Sequence, residues 1–126
     1  MIRLLPDRNA GPAILKLGVD RDEALAVVDS LADMPIAVAC YNDDVAAALV
    51  SAATIRGRRI PEDFAVIGMD NTPVGQVMVP RLSTIDYPAS EAAHLTVAGF
   101  LSAITGEVIE ASALHLALRI IEGETS

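Results

Sequence analysis

Two dipeptides in this chain carry the side chains best suited to holding a small polar ligand. Asn42-Asp43 follows directly on the apolar run of residues 36–41, and Asp70-Asn71 follows the apolar run of residues 64–68. An asparagine amide donates and accepts hydrogen bonds and a carboxylate accepts them, so such pairs suit a ligand rich in hydroxyls or amines. Short unbroken aliphatic runs read as strands buried on both faces of a sheet. In an open parallel sheet, ligands lie beyond the carboxyl ends of the strands, where both pairs fall. Each residue also has a plainer use. Asp43, just ahead of a helical stretch, reads first as an N-cap, and Asn42 serves either purpose. Asp70 starts no long helix and reads as a ligand contact, whereas Asn71 can equally shape a turn through a side-chain to backbone bond.

Nothing else in the chain forms a catalytic pattern. There is no glycine-rich phosphate loop, no Cys/His set at zinc spacing and no nucleophile elbow. His94 falls in a helical stretch and His115 in a strand-like one, and neither has a partner that would make it a base or a ligand. The single cysteine, Cys40, lies inside an apolar run and reads as a buried, inert thiol. A phosphorelay receiver needs a lysine after a late strand, but the only lysine is Lys16, near the start. The expectation is a protein that is not an enzyme, with no cofactor and no metal.

The charge balance argues against direct contact with nucleic acid. Nine Lys and Arg stand against seventeen Asp and Glu, a formal charge of −8, whereas DNA affinity rests on cationic neutralisation of phosphates. The one arginine cluster, Arg56, Arg58 and Arg59, sits at the end of a helical stretch, where cations complement the helix dipole. No apolar segment is long enough to span a bilayer and the N-terminus has no signal-peptide pattern, so a cytoplasmic location is expected.

The elements that must position Asn42 and Asp70 follow from periodicity. The 126 residues are 52% apolar but only 3% aromatic, the composition of an aliphatic sheet core under Ala-rich helices. The first twenty residues form an ill-defined lead-in, with a possible strand over 13–19. Asp20 followed by Glu23 has capping-box spacing and opens a helix over 22–32. A strand over 36–41, a helix over 45–55 stopped at Gly57 and a strand over 64–68 make a βαβ unit, hence a parallel sheet. Residues 72–80 read as loop, 82–86 as a third strand, 90–104 as a helix ending at Gly106, 113–121 as a last strand and 122–126 as a polar tail. One domain is expected, with its core over 21–86 and a crossover helix, strand and tail over 87–126.

Three segments in this order resemble a known family. Residues 35–46, PIAVACYNDDVA, resemble its p-t-A-v-f-a-x-N-D-x-x-A strand and helix start. Residues 57–71, GRRIPEDFAVIGMDN, resemble G-x-x-v-P-x-d-i-s-v-v-G-f-D-n, and residues 80–85, PRLSTI, resemble P-x-L-T-T-i. Together they are similar to the lactose/galactose-repressor (LacI/GalR) family of bacterial transcription regulators. The resemblance implies an α/β fold, a three-layer Rossmann-like lobe that is the C-terminal half of a periplasmic-binding-protein-like type I domain. It also implies an effector-sensing and dimerising part of a regulator or repressor, closing on a small molecule such as a sugar. A transport sugar-binding protein is the alternative.

By position, Asn42 and Asp70 match effector-contacting residues of the family, with Asp43 and Asn71 as secondary candidates. Ala47, Val77, Met78 and Val79 match positions at the subunit interface of a homodimer. DNA would be reached only through a helix-turn-helix that this chain does not contain. Departures are visible as well. Ala48 replaces a usual glycine, the arginine common near the C-terminus is missing at that register, and no aromatic precedes the lobe's first helix to stack on a sugar. The first half of the sensing domain has no counterpart either, so Leu95, Phe100, Leu101 and Ile104 of the late helix are expected to pack on the lobe itself or on a second copy.

Overall fold

The computed structural model describes residues 2–4, 13–31, 35–106 and 117–126. In chain order the elements are β1 (Ile2–Leu4), β2 (Ala13–Leu15), α1 (Arg21–Ser30), β3 (Ile36–Cys40), α2 (Asp43–Ile55), β4 (Phe64–Met69), α3 (Pro73–Val77), β5 (Ser83–Asp86), α4 (Ala89–Thr105) and β6 (Arg119–Ile121). They divide into two compact units, one of residues 1–86 with 120–126 and the other of residues 87–119. Expectations that fall on residues 5–12, 32–34 and 107–116, His115 among them, lie outside the described residues.

The strands form one sheet in the order β2-β1-β3-β4-β5-β6. Its centre is parallel: Ile36 to Ala39 pair with Phe64 to Ile67, and Ile67 to Met69 with Ser83 to Ile85. The βαβ expectation holds for β3, α2 and β4. The sheet is not parallel throughout, because β1 runs antiparallel to both β2 and β3. Residues 5–12, which join β1 to β2, are too few for the crossover that parallel neighbours require. β1 itself had no periodicity in sequence, since three residues are too short to show alternation.

α1 enters as its sequence dictates. Asp20 Oδ1 accepts from the amides of Asp22 and Glu23, each at 2.9 Å, which caps α1. Glu23 reaches back to the amide of Gly18 at 3.0 Å, two residues beyond the capping-box partner. Ala24 and Val28 of α1 pack with Val45, Ala46, Leu49, Val50, Ala52 and Ala53 of α2 over Val38, Cys40, Phe64, Val66 and Leu82. Phe64, Leu49 and Leu82 are completely buried, each contributing about 1.5–3 kcal/mol of hydrophobic stabilisation.

β3 is buried on one face only, which corrects the expectation of burial on both. Its pleat sends Val38 and Cys40 into the core and leaves Ala37 and Ala39 exposed. A continuous apolar run hides this alternation because alanine serves on either face. Ala37, Ala39, Ala65 and Ile67 line an open apolar hollow of about 280 Å³, to which Ser126 also contributes.

The C-terminal segment is no loose polar tail. The Val66 amide donates to the Thr125 carbonyl at 2.6 Å, and the Thr125 hydroxyl donates to the Val66 carbonyl at 2.7 Å while accepting from the Ser83 amide at 2.9 Å. Thr125 is fully buried. The segment thereby satisfies backbone groups of β4 ahead of the point where β5 begins to pair with it.

α4 keeps the expected helix and its Gly106 stop, in the left-handed conformation at φ 77°. Within the single chain α4 buries no residue, and Phe100, Leu101 and Ile104 are exposed, which leaves a second copy as the surface for them. A single helix has no counter-surface within its own described unit. Among the described residues no helix is long and apolar enough to cross a membrane.

Candidate functional site

Because β3, β4 and β5 are parallel neighbours, their carboxyl ends share one edge of the sheet. Asn42 lies just past β3, Asp70 and Asn71 just past β4, and Asp86 closes β5. The edge therefore unites the two dipeptides singled out in sequence.

Their division of labour differs from the reading of Asp43 as the cap. Asn42 is the N-cap of α2: it has extended backbone, and its Oδ1 accepts from the Val45 amide at 2.9 Å. Asp43 is the first helical residue, and its side chain turns inward. It is 1% exposed, with Oδ2 accepting from the Thr72 amide at 2.6 Å and Oδ1 from the Thr84 hydroxyl at 2.5 Å. The helix amino terminus favours an acidic side chain there.

The turn after β4 holds both its residues at positive φ, 102° for Asp70 and 51° for Asn71. Such values are uncommon without glycine and persist only where neighbours impose them. The Asp70 amide donates to the Ile85 carbonyl at 2.9 Å, and the Asn71 amide donates to the Thr84 hydroxyl at 3.3 Å. Asn71 Nδ2 donates to Asp86 Oδ1 at 3.4 Å, a bond to a side chain of β5 rather than the side-chain to backbone bond the sequence suggests. Thr72 then caps the short helix α3 with Pro73 at its first position. That Thr-Pro start was the sequence signal for α3, although residues 72–80 read as loop.

Asp70 is exposed. Its carboxyl is held above the usual aspartate range, first by lost hydration and then by the negative charges of Asp43 and Asp44. The edge as a whole is rich in hydrogen-bond acceptors, with carboxylates from three strand ends, and the asparagine amides supply donors. Such an arrangement can orient hydroxyl or amine groups. Thr72 and Thr84, which hold the turn, were not singled out in sequence. Thr84 sits in a strand-like run, and its link to Asp43, far along the chain, exists only once β5 has docked.

Two further groups of sequence candidates have clear positions. Arg56 pairs with Asp29 through two hydrogen bonds, at 2.5 and 2.6 Å, and Arg59 pairs with Asp63 at 2.7 Å. The Arg59 guanidinium holds the Asp63 carboxyl down at about 2, and Arg56 lowers that of Asp29. Of the apolar set, Ala47 and Met78 are half-buried and line a shallow groove with Val79, between α2 and the segment after α3. Val77 and Val79 are 80% and 92% exposed, while Met78 turns toward the core.

The family described as periplasmic binding protein-like domain matches residues 6–126. The chain is 39% identical over 79 residues to the NTD biosynthesis operon regulator NtdR of Bacillus subtilis, covering 63% of this chain and 24% of that protein. It is 41% identical over 78 residues to the HTH-type transcriptional repressor PurR of Vibrio vulnificus, covering 60% and 23%. Among solved structures, a LacI family transcriptional regulator from an Arthrobacter species in complex with lactose is similar at a TM-score of 0.66 and 31% identity, over 83% of this chain and 39% of that one. The regulator CelR in complex with cellobiose is similar at 0.69 and 26%, over 84% and 33%. The chain thus spans about a quarter of the length of these curated relatives.

Proposed function

Since this chain belongs to the periplasmic binding protein-like domain family, and its relatives are transcription regulators, we propose that it is the effector-sensing part of a bacterial regulator of the LacI type. Asn42 and Asp70 are the side chains that hold the effector. The observation that carries this reading is the meeting of both residues at one edge of the parallel sheet, where open α/β sheets bind ligands. With Asn42 Oδ1 engaged in the cap, its Nδ2 group is the donor it offers. The exposed Asp70 carboxylate accepts from ligand hydroxyls. Asn71 and the buried Asp43 support these two from behind.

The effector in this reading is a sugar or a similarly hydroxylated metabolite, the class bound by the lactose and cellobiose complexes of the similar regulators. The protein works in the cytoplasm and catalyses nothing. Two copies associate through Ala47, Val77, Met78 and Val79, an apolar patch of the kind that marks interfaces. Operator contact belongs to a helix-turn-helix module rather than to these residues, whose charge is −8 and whose Arg56 and Arg59 face Asp29 and Asp63.

Titration of the chain with lactose and with cellobiose, followed by amide NMR shifts, tests the site. The expected result is a set of shifts centred on Asn42, Asp70 and Asn71. Affinity should fall about tenfold or more in Asp70→Asn and in Asn42→Ala, as loss of a hydrogen bond to a charged or buried polar group implies. Shifts centred elsewhere, or unchanged affinity in both variants, would overturn it.

A further inference from the structure

We propose that Asp43 is a positioning residue that fixes the Asp70–Asn71 turn and so sets the two effector-holding side chains in register. The proposal rests on the binding-edge reading above for its consequence, effector affinity, but not for its geometry.

Three observations converge on Asp43. It is buried, and its two carboxyl oxygens serve two different elements: Oδ2 takes the Thr72 amide, just beyond the turn, and Oδ1 takes the Thr84 hydroxyl of β5. Thr84 in turn accepts the amide of Asn71, so the bonds run from the start of α2 through β5 to the turn itself. Asn42, the neighbour of Asp43, is fixed at the same helix start by its capping bond. One carboxyl group thus ties the element bearing Asn42 to the turn bearing Asp70.

Glycines leave room for it. A Cβ on Gly68, the β4 residue facing Asp43, would overlap Asp43 Oδ1, and one on Gly75 would lie 3.3 Å from Oδ2. Gly68 has no positive φ to explain its identity; close approach of the Asp43 side chain does. Finally, the turn needs an external clamp. Asp70 and Asn71 both occupy positive φ, which costs free energy for non-glycine residues and relaxes when the surrounding bonds are lost. Burial of an acidic group is itself expensive unless its oxygens are hydrogen-bonded, and the two bonds to Thr72 and Thr84 meet that condition.

Amide hydrogen exchange by NMR on the whole chain tests this, comparing wild type with Asp43→Ala, Asp43→Asn, Gly68→Ala and Thr84→Val. In Asp43→Ala the amides of Asn71 and Thr72 should exchange about tenfold faster or more, while the slow amides of β3 and β4 keep their rates, the mark of a local rather than global opening. Gly68→Ala, which drives a methyl group into Asp43, should reproduce that pattern. Asparagine keeps one acceptor, for the Thr72 amide, but turns a donor toward the Thr84 hydroxyl, which donates in the wild type, so Asp43→Asn should spare the Thr72 amide more than that of Asn71. Thr84→Val should free the Asn71 amide and spare that of Thr72.

An equal acceleration across β3, β4 and the turn in Asp43→Ala would mean that Asp43 only stabilises the fold, and would overturn the proposal. So would unchanged exchange at Asn71 and Thr72. Lactose titration of the same variants separates the two readings. If wild type binds lactose and Asp43→Ala binds it equally well, the positioning role is wrong although the binding edge stands. If wild type binds neither lactose nor cellobiose, the effector assignment fails, and the exchange pattern still decides the role of Asp43.

Discussion

Cys40 shows how local surroundings decide what a reactive residue type does. It ends β3 on the core face, 7% exposed, and lost hydration pushes its thiol up to about 12, with the charge of Asp43 adding to the effect. The thiolate is the nucleophile, so a thiol titrating there is almost wholly unreactive near neutrality. A thiol-specific disulfide reagent at pH 8 is expected to leave Cys40 unmodified in the folded chain and to label it fully in urea. Labelling of the folded chain at the rate of a free cysteine would show that the core face of β3 is open. Asp43 and Asp70 make the same point with carboxyl groups. Both follow buried strands, yet one turns inward onto Thr72 and Thr84 and the other faces solvent. Residue type and spacing marked both as interesting; that Asp43 braces the turn rather than capping α2 was not visible in them.

The C-terminal segment is the element whose character the sequence concealed. Glu122 to Ser126 is polar and short, yet it seals β4 and β5 through backbone bonds. Arg81 Nη2 donates to the Glu122 carbonyl at 2.7 Å, and the Arg81 amide donates to Glu124 Oε2 at 2.8 Å. The Gly123 amide donates to Ser83 Oγ at 3.1 Å, and a Cβ at Gly123 would overlap backbone atoms of Arg81, Leu82 and Ser83. Backbone cannot swing aside as a flexible side chain can. Gly123→Ala should therefore lower stability by about 1–3 kcal/mol in urea unfolding, the usual cost of overpacking. A change within about 0.5 kcal/mol, typical of a neutral surface substitution, would mean that the segment moves away freely. Hydrogen bonds between residues some forty positions apart leave no periodicity to read.

At the scale of the whole molecule, the exposed apolar residues beside α2 test the proposed association of two copies. Val77 and Val79 stand almost fully in solvent beside the α2 groove, and Ile55 on α2 is 46% exposed. Static light scattering should show a mass that rises with concentration, and Val77→Asp with Val79→Asp should hold the chain at its monomer mass. A wild-type chain that stays monomeric at millimolar concentration would remove the patch from the assembly.

Much of this architecture was legible in the sequence. Apolar runs located β3, β4 and β5, Asp20 marked the start of α1, Gly57 and Gly106 marked the ends of α2 and α4, and the short connections made the central strands parallel. From those came the edge on which Asn42 and Asp70 meet. Local chemistry sufficed because helix periodicity, caps and turn residues act over a few positions and do not depend on what lies across the sheet. The tertiary structure alone decided that β1 and β2 run antiparallel, that β3 buries one face, that the C-terminal segment joins the sheet, and that Asp43 rather than Asn42 points inward. Each depends on contacts between residues distant in the chain, whose partners come together only when the sheet closes, and no local spacing encodes them.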